Sequence, residues 1–280
     1  MRKVTIGLVQ MSVTDDARVN LDKALRMVRR AAKRGAEIVC LPELFNLRYF
    51  PQYRNSDVES TEVPNAVTAS LSEAARRHKI VLVGGSIYER ANGKSFNTSF
   101  VFGEGGEVLG RYRKVHLPGD PGFYEQDYFD PGDAYTLVNT RHGRLSVLIC
   151  YDQWYPEAAR AVKLMGAEIV LYPTAIGTLR GTKQTEGSWQ EAWEAVQRGH
   201  AIANSVIVGA ANRVGREGGL NFWGGSFIYD QFGKLLAHAT RGEQVVTAEC
   251  DLDLAVDLES GWGFLSNRRP TTYSKLVEKR

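Results

Sequence analysis

Three residues combine reactive side chains with positions where buried strands hand over to loops: Glu43, Lys114 and Cys150. Glu43 follows the apolar run Glu37-Ile38-Val39-Cys40-Leu41 and its exit proline, Pro42. Lys114 closes the stretch Glu107 to Arg113, and Cys150 follows Leu145-Ser146-Val147-Leu148-Ile149 just ahead of a helix. Layered α/β proteins tend to carry functional groups at such exits. A strand-to-helix turn can expose a thiol and aim nearby backbone N–H groups at a developing oxyanion, and positive surroundings favour the thiolate. A partly buried carboxylate can act as general base toward that thiol. A lysine in the same pocket can stabilise the negative tetrahedral intermediate of acyl transfer.

Each residue also has a plainer reading. Cys150 could be a buried structural cysteine, Glu43 a solvated loop carboxylate, and Lys114 a surface cation within Arg111-Tyr112-Arg113-Lys114. Cys40 and Cys250 sit in apolar strand runs and read as small core residues. The competing chemistry is a cysteine–histidine pair. Of His78, His116, His142, His200 and His238, only His116 lies beside a candidate site residue.

Positioning falls to an alternation of strand-like and helix-like patterns. Val4, Ile6, Leu8 and Val9 mark a first strand. Leu21, Ala24, Leu25, Val28 and Ala31 recur at helical spacing over residues 20–34, and Gly35 stops that helix. Glu37 to Leu41 reads as a buried strand. A helix on Ala66, Val67, Leu71, Ala74 and Ala75 leads into the strand Ile80 to Val83. Residues 96–113 read as a hairpin turning at Gly103-Glu104-Gly105-Gly106. No helix follows that glycine cluster to hold a phosphate, so it reads as a turn and not a nucleotide loop.

Leu145 to Ile149 is a strand, and Pro156 can begin a helix through about Met165. Gly166-Ala167-Glu168-Ile169-Val170-Leu171-Tyr172-Pro173 then echoes Gly35-Ala36-Glu37-Ile38-Val39-Cys40-Leu41-Pro42. One echo predicts two similar halves, with two sheets packed face to face, and not a solenoid. Trp189, Trp193 and Val196 share one face of a following helix and read as core. Val206 to Val208, Trp223 to Tyr229, Lys234 to Ala239 and Val245 to Cys250 read as strands, with a turn at Asp230-Gln231-Phe232-Gly233. No Pro/Ser-rich linker or charge block separates the halves. Residues 1–280 are therefore expected to form one domain, with a C-terminal extension from about residue 258.

Composition narrows the class. At roughly 150 residues per domain, a length of 280 allows one or two domains. Lys+Arg 35 against Asp+Glu 32 leaves +3 without a basic run, so no nucleic-acid partner is expected. Charged residues at 24% and apolar ones at 43% fit a globular chain and exclude wholesale disorder. No stretch approaches about 18 uninterrupted apolar residues, so no membrane span is expected. Met1-Arg2-Lys3-Val4-Thr5-Ile6-Gly7 lacks the features of a signal peptide. Three scattered cysteines make neither a disulfide framework nor a zinc site, which points to the cytoplasm.

Leu41-Pro42-Glu43-Leu44, Tyr112-Arg113-Lys114-Val115-His116-Leu117-Pro118 and Ile149-Cys150-Tyr151-Asp152 occur in that order. Together they resemble the three signature segments of the nitrilase superfamily of carbon–nitrogen hydrolases. The resemblance implies a four-layer α-β-β-α sandwich, a homodimer or higher homo-oligomer paired through helical layers, and no metal or organic cofactor. It carries the family's catalytic Glu, Lys and Cys onto Glu43, Lys114 and Cys150. A second family glutamate, which helps position the lysine and substrate, maps onto Glu125; without the resemblance that residue reads as a loop charge. Family analogy also places Tyr49 at the pocket mouth, the backbone N–H of Tyr151 at the oxyanion and Thr174 among the substrate-binding residues.

Asp152 to Arg160, Tyr172 to Gly177, Tyr128 to Asp133, Trp262-Gly263 and Arg268-Arg269-Pro270 are similar to the family's N-carbamoylputrescine amidase branch. Two departures stand out. The branch commonly has Trp where this chain has Tyr151. Its glutamate for the substrate's distal ammonium is replaced by Thr178-Leu179-Arg180, leaving Asp152, Glu186 or Glu191 to substitute. The resemblance implies hydrolysis of a small-molecule amide or carbamoyl substrate, with an N-carbamoyl amine giving amine, CO2 and ammonia. An aliphatic ω-amidase, a nitrilase and a non-catalytic binding subunit are the alternatives.

Overall fold

The echo between the halves is a repeated strand–helix–strand–helix–strand run in the structure, a computed structural model that describes residues 2–278. Met1, Lys279 and Arg280, which the expectation of one domain over 1–280 includes, lie outside the described residues. The first run is β1 (Lys3–Gln10), α1 (Ala17–Lys33), β2 (Ile38–Cys40), α2 (Ala66–His78) and β3 (Val81–Val83). Its three strands are parallel, with Ile6 opposite Ile38 and Ile38 opposite Val81. Antiparallel β4 (Ile87–Ala91), β5 (Lys94–Phe102) and β6 (Val108–Arg113) extend that sheet.

After a hairpin of β7 (Leu137–Thr140) and β8 (Gly143–Val147), the second run continues through α3 (Pro156–Met165) and β9 (Ile169–Thr174). Past β10 (Gly177–Leu179) it ends with α4 (Trp189–Asn204) and β11 (Ile207–Asn212). Here β8, β9 and β11 are parallel, with Ile169 opposite both Leu145 and Ile207. β12 (Val214–Glu217) and β13 (Leu220–Trp223) join β10 in a small separate sheet. β14 (Phe227–Tyr229) and β15 (Leu235–His238) complete the second large sheet. β16 (Gln244–Asp251) returns to pair antiparallel with β1, and α5 (Leu254–Trp262) follows.

Strand alternation makes the four layers. Ile38 and Cys40 face the core between the sheets, while Val39 and Leu41 pack under the first pair of helices. Val4, Ile6 and Leu8 meet Leu145, Val147, Ile169 and Leu171 across the middle. Fully burying each such side chain contributes about 1.5–3 kcal/mol. Gly209 has no room for a side chain, since a Cβ there would stand 2.7 Å from Leu171 Cδ2 of its own sheet and touch Leu8 Cδ2 of the opposite sheet at 3.5 Å. The architecture is the α-β-β-α sandwich expected from the signature segments.

Helix ends follow local chemistry. The Asp16 carboxylate accepts from Arg18 N and Val19 N to start α1, and Gly35, at φ +84°, takes the left-handed turn beyond its end. Two strand expectations are corrected. The run Trp223 to Tyr229 is not one strand, because Gly224 (φ +75°) and Gly225 (φ +67°) turn the chain between two different sheets. The strand expected over Leu145 to Ile149 ends at Val147, since the chain must bend into the turn at Cys150. Among the described residues, no helix is long and apolar enough to cross a membrane.

Candidate active site

Lys114, immediately after β6, is held by its own backbone. Its N–H donates to Asn97 O on β5 at 2.9 Å, and its carbonyl accepts from Gly132 N at 2.8 Å. The side chain is driven inward, where Nζ lies 2.7 Å from Glu43 Oε1 and 2.8 and 2.7 Å from the two oxygens of Glu125. Glu43 Oε1 also accepts from Asn97 Nδ2 at 2.8 Å. Its second oxygen, Oε2, is buried and has no hydrogen-bond partner among the described residues. A buried carboxylate oxygen with no protein donor is costly, so it marks a place where something polar is suited to bind.

Glu125 opens a short 3-10 turn, Glu125–Asp127, and its Oε1 accepts the Tyr49 hydroxyl at 2.7 Å. The side chains of Glu43, Tyr49, Asn97, Lys114 and Glu125 are all essentially removed from solvent. Burial pushes the Glu125 carboxyl up to about 7, against the pull of the Lys114 charge and with Glu43 adding to the rise. Burial alone would lower the Lys114 ammonium, but Glu125 and Glu43 outweigh it and hold it above its ordinary value. Burial, then the Glu125 and Glu43 charges, keeps the Tyr49 phenol protonated.

Cys150 sits at φ +41°, in the left-handed region that a non-glycine residue enters at a cost of about 1–3 kcal/mol. It begins the 3-10 turn Cys150–Trp154. Burial pushes its thiol well above the usual cysteine range; Glu43 and Glu125 add to that rise, and Lys114 opposes it. That environment favours the thiol over the thiolate. Asp152 pins this turn to the lysine segment. Its Oδ2 accepts from Ile149 N at 2.8 Å and from the Tyr112 hydroxyl at 2.7 Å, while Oδ1 accepts from His116 N at 3.0 Å. Tyr112 and His116 flank Lys114, so one buried carboxylate sets the cysteine turn against the lysine strand.

A cavity of about 490 Å³ opens at Cys150, Glu125 and Tyr49. Its walls are mainly apolar, from Phe123, Tyr151, Trp154, Ile176, Leu179, Trp189 and Trp223. The structure thus gathers Glu43, Lys114 and Glu125 into one hydrogen-bonded cluster, with Cys150 near enough to feel their charges. Thr174 is placed differently. It is buried, its hydroxyl donates to Tyr172 O at 2.9 Å, and Ala175, Ile176 and Gly177 line the wall beside it.

Among the described residues, no histidine lines this cavity. His116 is 2.7 Å from Asp152 Oδ1 and stacks on Tyr155, and His200 Nε2 lies 2.8 Å from Gln153 O. Asp152, Glu186 and Glu191 are also off the wall. Asp152 is spent on its backbone and tyrosine donors, and the Glu186 carboxylate takes the Trp189 indole N–H. Among the described residues, the carboxylate that does reach the wall, besides Glu125, is Asp120. Sequence reasoning missed it, along with Asn97; neither carries a local signal, since each is defined by what the fold brings opposite.

A family described as Carbon-nitrogen hydrolase matches residues 5–259. The N-carbamoylputrescine amidase of Oryza sativa subsp. japonica is 38% identical over 98% of this chain and 95% of that protein. A citrullinase of Francisella tularensis subsp. tularensis is 35% identical, with both chains covered in full. Among solved structures, a carbon–nitrogen hydrolase from Helicobacter pylori G27 superposes with a TM-score of 0.94 at 37% identity, covering 99% of each chain.

Proposed function

The chain belongs to the carbon–nitrogen hydrolase family, the nitrilase superfamily, and we propose that within it Cys150 is the nucleophile for hydrolysis of an N-carbamoyl amine. The observation that carries this reading is the Glu43 carboxylate. Lys114 and Asn97 lock one oxygen, and the other is left buried and free to accept a proton. Glu43 takes the Sγ proton as sulfur attacks the ureido carbonyl, and Lys114 with the Tyr151 backbone N–H receives the developing oxyanion. Glu43 returns the proton to nitrogen, and ammonia leaves with formation of an S-acyl enzyme. Glu43 then deprotonates a water, whose oxygen attacks the acyl carbon. The C–S bond breaks, and the thiol is restored by the proton Glu43 holds. The carbamic acid released decomposes to CO2 and the amine. Glu125 and Tyr49 keep Lys114 aimed at the reacting carbonyl.

The apolar wall suits a methylene chain, and Asp120 offers the charge that a distal ammonium requires. Support for the carbamoyl class comes from relatives named for N-carbamoylputrescine and citrulline. A simple aliphatic amide would use the same residues and release no CO2. The free thiols Cys40, Cys150 and Cys250 suit the reducing cytoplasm. Leu164 and Met165 at the end of α3, with Trp262 of α5, leave apolar surface suited to pairing of two copies. The test is a panel of N-carbamoylputrescine, N-carbamoyl amino acids, L-citrulline and short aliphatic amides, scored for ammonia and CO2. One CO2 per ammonia supports the carbamoyl reading; ammonia alone, from amides only, overturns it.

A further inference from the structure

Glu43 is carried on a loop after β2, and that loop is gripped by a buried ion pair from the opposite half of the chain. Arg213, between β11 and β12, is fully buried, and Glu217 at the end of β12 is 1% exposed. Arg213 Nε donates to the carbonyl of Glu43 itself at 3.1 Å. Its Nη2 donates to the carbonyls of Leu44 and Leu47, and its Nη1 reaches both Glu217 oxygens at 2.9 Å. Glu217 in turn accepts from Tyr49 N at 2.7 Å. Between them the two side chains bind main-chain groups from Glu43 to Tyr49.

That grip answers a local difficulty. Leu44 is held at φ +45°, a left-handed conformation that costs a branched residue about 1–3 kcal/mol unless the surroundings impose it. The planar fork of an arginine serves several carbonyls and a carboxylate together, and a lysine's point charge does not. We infer that the Arg213–Glu217 pair is a positioning device that sets the Glu43 carboxylate against Lys114 and Cys150. Its reach spans the two halves of the fold, joining the loop bearing the base to the half that bears the nucleophile. The inference rests on Glu43 being the proton acceptor.

The test follows alkylation of Cys150 by iodoacetamide at pH 8, read by mass spectrometry. Arg213→Lys is expected to slow alkylation at least about tenfold in the wild-type background and less than about twofold in Glu43→Gln, because residues acting through one another are non-additive. Glu217→Gln keeps an oxygen for Tyr49 N while losing the charge, and carries the test if the lysine variant does not fold. Arg213→Met/Glu217→Leu removes both buried charges together, and is expected to melt at or above Arg213→Lys while alkylating no faster. Rates that recover with stability would make the pair merely structural and overturn the inference. So would slowing of equal size in both backgrounds, or wild-type alkylation by folded Arg213→Lys. If Glu43→Gln itself alkylates at the wild-type rate, the assignment of Glu43 fails and the inference fails with it.

Discussion

Tyr49→Phe isolates the role of a single hydrogen bond. The Tyr49 hydroxyl donates to Glu125 Oε1 at 2.7 Å, and this bond favours the ionised carboxylate. Phenylalanine keeps the ring contacts with Phe123 and Phe222, both at 5.8 Å between centroids, so packing is little changed. Hydrogen bonds to charged groups contribute about 1.5–3 kcal/mol, and 1.36 kcal/mol corresponds to one pKa unit, so losing this one raises Glu125 by roughly one to two units. The sign of the activity change follows from Lys114. Once Glu125 protonates, Lys114 loses the ionised partner that holds Nζ in place, and its aim at the reacting carbonyl weakens. Wild-type kcat/KM should therefore rise with an acid limb near 7. In Tyr49→Phe that limb should move up by roughly one to two pH units, cutting kcat/KM about 5- to 50-fold at pH 7 and little at pH 9.5. The assay is ammonia release from pH 5.5 to 9.5. An unmoved limb, or an equal loss at every pH, refutes the reasoning.

Glu43→Gln removes the free Oε2 acceptor, and ammonia release should fall by about 10²–10⁴-fold while the melting curve persists. Asp152→Asn must turn a donor toward Ile149 N and Tyr112 or toward His116 N, leaving a buried donor unpaired at a cost of about 1–3 kcal/mol. Calorimetry should then show melting lowered by several degrees, and Cys150 should alkylate more slowly. Asp120→Asn should raise KM for N-carbamoylputrescine about two- to fivefold and leave that for a neutral amide unchanged. Equal KM changes for both substrates would contradict the assignment of the cavity-wall charge.

The repeated glycine–strand–proline segments revealed the two halves because a buried parallel strand between helices has a compact local pattern. Glu43 and Cys150 could be picked out singly because each follows a buried parallel strand, and Lys114 because it ends a hairpin strand, but nothing local says that they meet. Strand pairing within the first sheet brings Lys114 to a glutamate 71 positions earlier, and stacking of the second sheet sets Cys150 beside them. Arg213, 170 positions from Glu43, had no visible role for the same reason. β4 was missed because Glu89, buried in it and paired with Arg113, breaks the apolar alternation. Trp223 to Tyr229 misled in the opposite direction, since its apolar flanks masked the glycine pair that separates two sheets. Thr174 stands at a strand exit, yet its hydroxyl returns to its own strand.

The central claim is that Cys150 carries the acyl group through turnover. Acid-quenching the enzyme during hydrolysis of N-carbamoylputrescine or a short amide, then weighing the intact chain, tests it directly. The expected result is a mass increase equal to the acyl group, confined to the peptide containing Cys150 and absent, together with ammonia release, from Cys150→Ala. Undiminished ammonia release by a folded Cys150→Ala would contradict it.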